Sequence, residues 1–177
     1  GIAVVKEMDR LGMVLDLSHL SEPCFYDALE LSEYPQLVTH ANAKALHDHP
    51  RNLSDEQIRR LAAKGGVVGV CFFPRFLQSR TIDGVIDHLD YVVQMVGIDH
   101  VGIGPDFIDY MLDLFESPGQ LALRAMSDPM PAYPPGIEDM TKLPSFTEGL
   151  VRRGYREPDV RKILGENFLR VYRQVLQ

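Results

Sequence analysis

Two histidines follow apolar segments at points where a buried strand would end. His19 follows the apolar run at the start of VLDLSHLSE, and His40 closes QLVTH. Asp106 comes just after a third such run, VGIGP. Because the carboxyl ends of parallel strands lie at one edge of a sheet, we expect these two imidazoles and one carboxylate to converge. Imidazole and carboxylate groups are common metal ligands, so the pattern favours a metal site at this edge.

A structural role is the alternative for each histidine taken alone, because a single histidine at a strand end is often a hydrogen-bonded core residue. A buried imidazole without a partner costs roughly 1–3 kcal/mol, and one metal ion would satisfy two of them at once. The pair therefore favours His19 and His40 as metal ligands, with the structural alternative still open. Asp16 alternates to the opposite side from His19, so we predict that it binds backbone or a helix residue instead of a metal.

Arg51 is the candidate for holding a substrate. It follows Pro50 in the loop that leaves the His40 strand, and it precedes the N-cap of a helix. A fixed guanidinium at that place could bind a carboxylate through two parallel hydrogen bonds. An ordinary surface arginine is the alternative.

The other histidines favour structural or solvated positions. His47 and His49 lie in a polar loop, where the H-x-H spacing suggests a metal but capping or solvated side chains are common. His88 and His100 are predicted to lie at the surface or at a strand start. None of these four is therefore predicted to be a ligand.

The elements that would position these side chains alternate between strand and helix. Apolar runs predict four buried strands, 13–18, 36–39, 67–73 and 101–104. The helical segments between them begin at the N-cap candidates Ser21, Ser54 and Thr81. This order is typical of βα units with parallel strands, which form either an open doubly wound sheet or a closed (β/α)8 barrel. Four units would supply half of a barrel.

The last predicted strand carries Gly102, Gly104 and Asp106 on one face by simple alternation. If that face points into a barrel, the glycines leave room for a substrate next to Asp106. The same Gly-x-Gly run raises phosphate binding as an alternative, because barrels often bind phosphate after their last strands. Pro105 removes a backbone donor there and Asp106 adds negative charge, so phosphate binding ranks below metal chemistry.

Composition limits the classes of function. The chain has 177 residues, of which 45% are hydrophobic, enough for one domain with a sizeable core. With 18 basic and 25 acidic residues the formal charge is −7, which argues against nucleic acid and anionic membranes as partners. The chain has only Cys24 and Cys71, too few for a disulfide scaffold, so we expect a reducing, cytoplasmic location.

Both ends of the chain are predicted to be helical. The opening segment, GIAVVKEMDRLG, places Val4, Met8 and Leu11 on one stripe and lacks the form of a signal peptide. A chain that opens inside a helix is expected to be the C-terminal part of a longer protein.

The irregular stretch 108–143 is predicted to be a lid or a partner contact, with terminal helices after it.

Over nearly its whole length the chain resembles the C-terminal half of the renal or membrane dipeptidase family of zinc peptidases. The resemblance rests on GMVLDLSHLS, LVTHANAKALHDHPRNLSD, GGVVGVCFF, HLDYVVQMVGIDHVGIGPDF, PPGIEDMTKLPSFTEGLVRRGY and KILGENFLRVY, in the order and spacing of the family. It implies a (β/α)8 TIM-barrel fold, to which residues 1–177 contribute about four C-terminal βα units and terminal helices. It also implies a binuclear zinc site that hydrolyses dipeptides.

The resemblance further implies roles for single residues. His19 and His40 match the two histidines that ligate the second zinc, Arg51 the arginine near the substrate carboxylate, and Asp106 the aspartate that assists proton transfer. The family's His-x-Asp ligand pair and its zinc-bridging glutamate belong to the upstream half, which these 177 residues do not contain. We therefore expect these residues alone to bind zinc weakly or not at all.

One motif departs from the family. The usual Gly-Asp-Phe-Asp-Gly run reads Pro105-Asp106-Phe107-Ile108-Asp109, so the pocket is expected to differ locally. The leading hypothesis is the catalytic half of a zinc dipeptidase, completed by a missing half-barrel or by a second copy that pairs with its open strand edges. A non-catalytic half-barrel fragment and a phosphate-binding barrel are the alternatives.

Overall fold

A computed structural model describes residues 1–108 and 133–176 of the chain. Its strands are β1 (Leu37–Ala41), β2 (Val67–Val70) and β3 (Val101–Ile103). Its α-helices are α1 (Ile2–Arg10), α2 (Glu22–Leu31), α3 (Asp55–Ala63), α4 (Ile82–Val96), α5 (Leu143–Arg152), α6 (Glu157–Arg161) and α7 (Asn167–Val175). Short 3₁₀ helices cover Pro74–Phe76, Ile98–His100 and Met140–Lys142, and a π-helical segment, Lys162–Glu166, joins α6 to α7.

The three strands form one parallel sheet in the order β1-β2-β3. Val68 lies beside Val38 on one side and Val101 on the other, and Gly69 pairs with Gly102. Helix α3 connects the first two strands and α4 the last two. Parallel neighbours joined through helices confirm the α/β class that the alternating pattern predicts.

The predicted first strand, residues 13–18, is not a regular strand. It meets β1 at an isolated bridge between Asp16 and Leu37, where the Leu17 amide donates to the Leu37 carbonyl (2.8 Å). The ladder stops there because the Thr39 amide donates to the Asp16 carboxylate (3.1 Å) instead of to a backbone carbonyl. The prediction of four regular strands is therefore wrong for this segment, although the segment still runs beside β1.

Helices cover both faces of the sheet. Val68 of β2 belongs to the main hydrophobic core, which α2, α3, α4 and α5 share. Its neighbour Val67 points to the other face and packs with Val171 and Val175 of α7. Because consecutive strand residues alternate between faces, an unbroken apolar run such as VVGV indicates a sheet buried on both sides.

Two helices begin as their sequences predict. Ser54 and Gln57 form a capping box at α3, in which each backbone amide donates to the other side chain (2.9 and 3.3 Å). Thr81 caps α4 by accepting from the Gly84 amide (3.0 Å). Gly97 ends α4 with a φ of 92°, in the left-handed region that glycine adopts without strain. These predictions are confirmed. They could be made from sequence because capping depends on residues only a few positions apart.

Helix α1 does not bury the stripe predicted for it. Val5 is its buried residue, whereas Val4 is 61% exposed and Leu11, just beyond the helix, is 54% exposed. A polar contact fixes the orientation of the helix, because the Asp9 carboxylate accepts from the Ser32 hydroxyl (2.8 Å) at the end of α2. Val4 and Leu11 of the predicted stripe thus lie on the surface, while Met8 is half-buried.

The glycines of β3 permit close packing and do not line an open cavity. A Cβ at Gly102 would overlap the ring of Phe168 from α7, and one at Gly104 would overlap the Thr39 carbonyl oxygen. The expectation that these glycines leave room for a substrate or a phosphate is therefore wrong, although Asp106 lines a cavity together with Ile103, Pro105 and Phe107. Asp106 does not continue the alternation either, because β3 has ended and its φ is 57°.

Part of the predicted lid, 108–143, lies outside the described residues, which resume at Tyr133. The terminal helices predicted after it correspond to α5, α6 and α7. In the two described ranges, each helix is too short or too polar to span a lipid bilayer.

Candidate active site

The structure brings His19 and His40 together. Their Nε2 atoms lie 2.8 Å apart, and their ring centroids lie 4.9 Å apart in an edge-on arrangement. His40 belongs to the carboxyl end of β1, and His19 lies in the turn after the segment that bridges to β1. His19 has a φ of 67°, which is uncommon for a residue other than glycine. The two imidazoles thus meet through a strand end and a tight turn.

Asp16 and Thr39 form a hydrogen-bonded support beneath His40. Asp16 Oδ1 accepts from the amides of Ser18 (3.0 Å) and Thr39 (3.1 Å), while Oδ2 accepts from the Thr39 hydroxyl (2.7 Å). Thr39 Oγ1 lies 2.9 Å from His40 Nδ1. Burial alone would raise the pKa of Asp16, but these hydrogen bonds outweigh it and lower the pKa. Asp16 is therefore an ionised acceptor that binds backbone and hydroxyl groups, as expected from its position.

The surroundings of His19 lower its pKa and so favour its neutral form. Burial lowers its pKa, and the positive charge of Arg51 and the nearby His40 lower it further. Asp106 and Asp16 oppose these effects without cancelling them. Because only a neutral imidazole offers a lone pair to a metal, this environment suits a ligand.

Asp106 lies beyond the end of β3 and is held through its backbone. Its carbonyl oxygen accepts from the Tyr133 hydroxyl, which in turn accepts from the Ile108 amide (3.3 Å). The negative charge of the Asp106 carboxylate raises the pKa of His19, which shows an electrostatic interaction between the two groups. Within residues 1–108 and 133–176 it is not hydrogen-bonded to either imidazole.

Arg51 lies on the same side of the sheet as the imidazoles. Its guanidinium stacks over the ring of Phe76, 5.5 Å from the centroid, and its amide donates to His49 Nδ1 (3.1 Å). The aromatic ring restricts the side chain, and within residues 1–108 and 133–176 the guanidinium has no hydrogen-bond partner. Arg51 borders the same cavity as His19 and His40.

The cavity beside the imidazoles has a volume of about 80 Å³. Lys44 and Arg51 line it, with Glu22 as an acidic wall residue. Lys44 is not among the site residues predicted from the sequence, although it lies only four residues after His40. The volume of the cavity is smaller than the roughly 300–1,000 Å³ that ligand pockets usually enclose. Lys44 forms an ion pair with Asp48 (3.6 Å), so Arg51 is the cation there that suits a carboxylate ligand.

Three other histidines serve the local structure. His47 Nε2 lies 3.2 Å from the Arg75 carbonyl oxygen, and its ring stacks on that of His49, with centroids 6.2 Å apart. His100 Nδ1 lies 2.9 Å from the Gly66 carbonyl oxygen, just before β3. These contacts agree with the structural roles predicted for them.

His88 is buried, contrary to the surface position predicted for it. It is 1% exposed on α4, and its Nδ1 accepts from the Ala43 amide (3.2 Å). Its Nε2 has no hydrogen-bond partner in the part of the chain that the structure describes. The sequence contained the signal, because Val85, His88, Leu89 and Val92 follow the apolar spacing of a helix.

Lowering the pH from 6.5 to 4 is expected to destabilise the protein through His88. Burial, with a smaller effect of His47, lowers the pKa of His88 from 6.5 to about 4, against the opposing charge of Asp87. The unfolded chain then binds a proton that the folded chain excludes, so stability is complete above pH 6.5 and falls toward pH 4. The loss amounts to about 3 kcal/mol. Urea unfolding across this range, compared between wild type and His88→Gln, measures it; parallel pH profiles would contradict it.

Cys71 is excluded as a nucleophile. It is fully buried just after β2, and burial raises the pKa of its thiol to about 12. A thiolate, not a thiol, attacks carbonyl groups and binds metals. The chemistry of this site therefore depends on imidazole, carboxylate and guanidinium groups.

Comparison with known sequences gives matches along the whole chain. The sequence profile of the family described as membrane dipeptidase, peptidase family M19, matches residues 1–177. Dipeptidase tcpJ of Claviceps purpurea is 35% identical over 99% of this chain, which covers 37% of that protein. An uncharacterized dipeptidase of Schizosaccharomyces pombe is 34% identical over 98% of this chain, which covers 39% of its length. The chain thus spans well under half of these curated relatives.

Solved structures match the fold over 99% of this chain. An amidohydrolase from Pseudomonas aeruginosa has a TM-score of 0.86 with 34% identity, and this chain covers 56% of it. A metallopeptidase from Rhodobacter sphaeroides, liganded with a phosphinate mimic of the dipeptide L-Ala-D-Ala, has a TM-score of 0.81 with 34% identity. This chain covers 46% of that structure, so about half of each solved chain corresponds to the elements described above.

Proposed function

Because this chain belongs to the membrane dipeptidase family, peptidase family M19, we propose that it supplies one half of a zinc-dependent dipeptidase. The observation that carries the proposal is the meeting of His19 and His40, whose Nε2 atoms lie 2.8 Å apart. They border a cavity that Arg51 also lines. With His19 and His40 as metal ligands and Arg51 as the carboxylate-binding group, the proposal has both functions side by side, as cleavage of a short peptide requires.

In this proposal residues 1–177 form the C-terminal half of a (β/α)8 barrel. The described fold corresponds to about half of the solved relatives. Among the described residues, the sheet ends at β3 on one side, and segment 13–18 runs beside β1 on the other. The β3 edge and the exposed Val4 and Leu11 offer surface for further elements. A second half-barrel from further polypeptide completes the site, and a second copy of this chain is the alternative source.

Zinc fits the two histidines. In a tetrahedral site with Zn–N distances of about 2.0–2.1 Å, two ligand nitrogens lie about 3.3 Å apart. The Nε2 atoms of His19 and His40, at 2.8 Å, need only a small separation to admit the ion. In the described part of the chain no further His, Cys, Asp or Glu completes a group of three. In this proposal the second half of the barrel supplies the other ligands of a binuclear site, and residues 1–177 alone bind zinc weakly.

Each side chain has its own role in hydrolysis. Bound zinc supplies the Lewis acidity that lowers the pKa of a water molecule and polarises the peptide carbonyl. Asp106 takes a proton from the attacking water and gives it to the amine as the C–N bond breaks, which yields two amino acids. Arg51 binds the free carboxylate of the substrate and thereby restricts the enzyme to short peptides.

Dipeptide hydrolysis by the native polypeptide that contains these residues tests the proposal. The ligand of the Rhodobacter sphaeroides relative, a mimic of L-Ala-D-Ala, makes that dipeptide the first substrate to assay. We expect about two zinc ions per assembled barrel, and hydrolysis that chelation abolishes and added zinc restores. Zinc binding without hydrolysis would instead support a non-catalytic half-barrel. Protection by phosphate against thermal unfolding, unaffected by chelators, would support the phosphate-binding alternative.

A further inference from the structure

The tautomer of His40 decides whether its Nε2 can bind a metal. A neutral imidazole carries one proton, on either Nδ1 or Nε2, and only the bare nitrogen offers a lone pair. Nε2 of His40 faces His19, while Nδ1 faces the Thr39 hydroxyl. The hydrogen bond at Nδ1 therefore controls the nitrogen at the metal side.

Asp16 sets the direction of that hydrogen bond. The single hydroxyl proton of Thr39 points to Asp16 Oδ2, 2.7 Å away, because a carboxylate can only accept. Thr39 Oγ1 must then accept from His40 Nδ1, at 2.9 Å. The Ser18 hydroxyl, 3.2 Å from the same oxygen, can donate to it without changing this direction. The His40 proton is placed on Nδ1, and the Nε2 lone pair faces His19.

We propose that Asp16 and Thr39 are positioning residues that hold His40 in the Nδ1-protonated tautomer and so prepare its Nε2 for the metal. This inference deepens the proposed function and rests on it, because His40 is a ligand only in that proposal. The relay runs from carboxylate to hydroxyl to imidazole. Hydrogen bonds behind a metal-bound histidine commonly set its ring orientation and affinity in this way.

The hydrogen bonds around Asp16 predict that Asp16→Asn reverses the direction of the hydrogen bonds in the relay. Oδ1 accepts from two backbone amides, those of Ser18 (3.0 Å) and Thr39 (3.1 Å). The carbonyl oxygen of asparagine must occupy this position, because an NH₂ group cannot accept from an amide. The NH₂ group then faces Thr39 and donates to its hydroxyl. Thr39 in turn donates to His40 Nδ1, and the imidazole proton moves to Nε2, where it blocks the metal.

Two substitutions at Thr39 separate its hydroxyl from its size. Thr39→Val removes the hydroxyl at nearly constant volume, so Nδ1 of His40 loses its partner and neither tautomer is enforced. Thr39→Ser keeps the hydroxyl and the relay. If Thr39 acted only through packing, Thr39→Ser would weaken zinc binding more than Thr39→Val, because serine lacks the methyl group that valine retains.

Nitrogen-15 NMR of histidine side chains reads the tautomer directly. The test uses the metal-free native polypeptide that contains these residues, at a pH where His40 is neutral. We expect His40 to carry its proton on Nδ1 in the wild type and in Thr39→Ser, and on Nε2 in Asp16→Asn. Asp27→Asn, at an exposed acidic residue of α2, is the matched control and keeps the wild-type pattern. A His40 that stays protonated on Nδ1 in Asp16→Asn overturns the proposal.

Zinc affinity, measured by competition with a chelator, is the second readout. We expect Asp16→Asn and Thr39→Val to weaken zinc binding by about 10–100-fold, while Thr39→Ser and Asp27→Asn bind as the wild type does. If the tautomer inverts but zinc affinity is unchanged, His40 is not a ligand; the proposed function fails and the relay stands. If neither changes in Asp16→Asn, the relay itself is overturned.

Discussion

Asp106→Asn is expected to lower kcat for dipeptide hydrolysis by about 10²–10⁴-fold, because an amide cannot carry the proton from water to the leaving amine. The zinc content is expected to stay unchanged, since Asp106 is not assigned as a ligand. The backbone of residue 106 is held by the Tyr133 hydroxyl at its carbonyl oxygen, so the substitution leaves its position intact. Steady-state kinetics with L-Ala-D-Ala and metal analysis of the same preparation measure both quantities.

Asp27→Asn serves as the control for this substitution, because Asp27 is exposed on α2 and does not line the site cavity. A kcat for Asp106→Asn within about tenfold of the wild-type value would contradict proton transfer by Asp106. A parallel loss of zinc would show instead that this carboxylate supports the metal.

Arg51→Met is expected to reduce kcat/KM for dipeptides by about 30–1,000-fold, which corresponds to about 2–4 kcal/mol for a buried charge pair. The methionine chain still covers the ring of Phe76, so the loss comes from the missing guanidinium. A dipeptide whose C-terminus is an amide lacks the carboxylate and is expected to be cleaved slowly by wild type and variant alike. Kinetics on the two matched substrates separate binding of the carboxylate from a general defect.

Arg59→Met is the matched control for Arg51→Met, because Arg59 is exposed on α3, where it pairs with Asp55 at 3.5 Å. Arg59→Met is expected to leave kcat/KM unchanged for both substrates. If Arg51→Met impairs the acid and the amide substrate equally, Arg51 acts on the structure and does not bind the substrate carboxylate.

Local sequence signals predict much of this fold. The capping box of Ser54 and Gln57 and the cap at Thr81 depend on residues three positions apart, so their chemistry is legible without tertiary structure. The order of strands and helices likewise predicts a parallel sheet. The approach of His19 to His40 follows from the same argument, because both lie where segments running side by side end.

Long-range packing explains most of what the sequence did not show. The space next to Gly102 is filled by Phe168, a residue 66 positions away whose approach no local pattern reveals. Segment 13–18 does not continue as a strand because the Asp16 side chain, and not a backbone carbonyl, accepts the hydrogen bond from the Thr39 amide. Thr39 itself gave no signal, because its role exists only once Asp16 and His40 lie on either side of it.

Anomalous X-ray diffraction at the zinc absorption edge, from crystals of the zinc-loaded native polypeptide, tests the central claim most directly. The account predicts a zinc peak between His19 and His40, about 2.0–2.1 Å from the Nε2 atom of each. A zinc-loaded protein in which the metal binds elsewhere, and in which these two nitrogens remain hydrogen-bonded to each other, would contradict it.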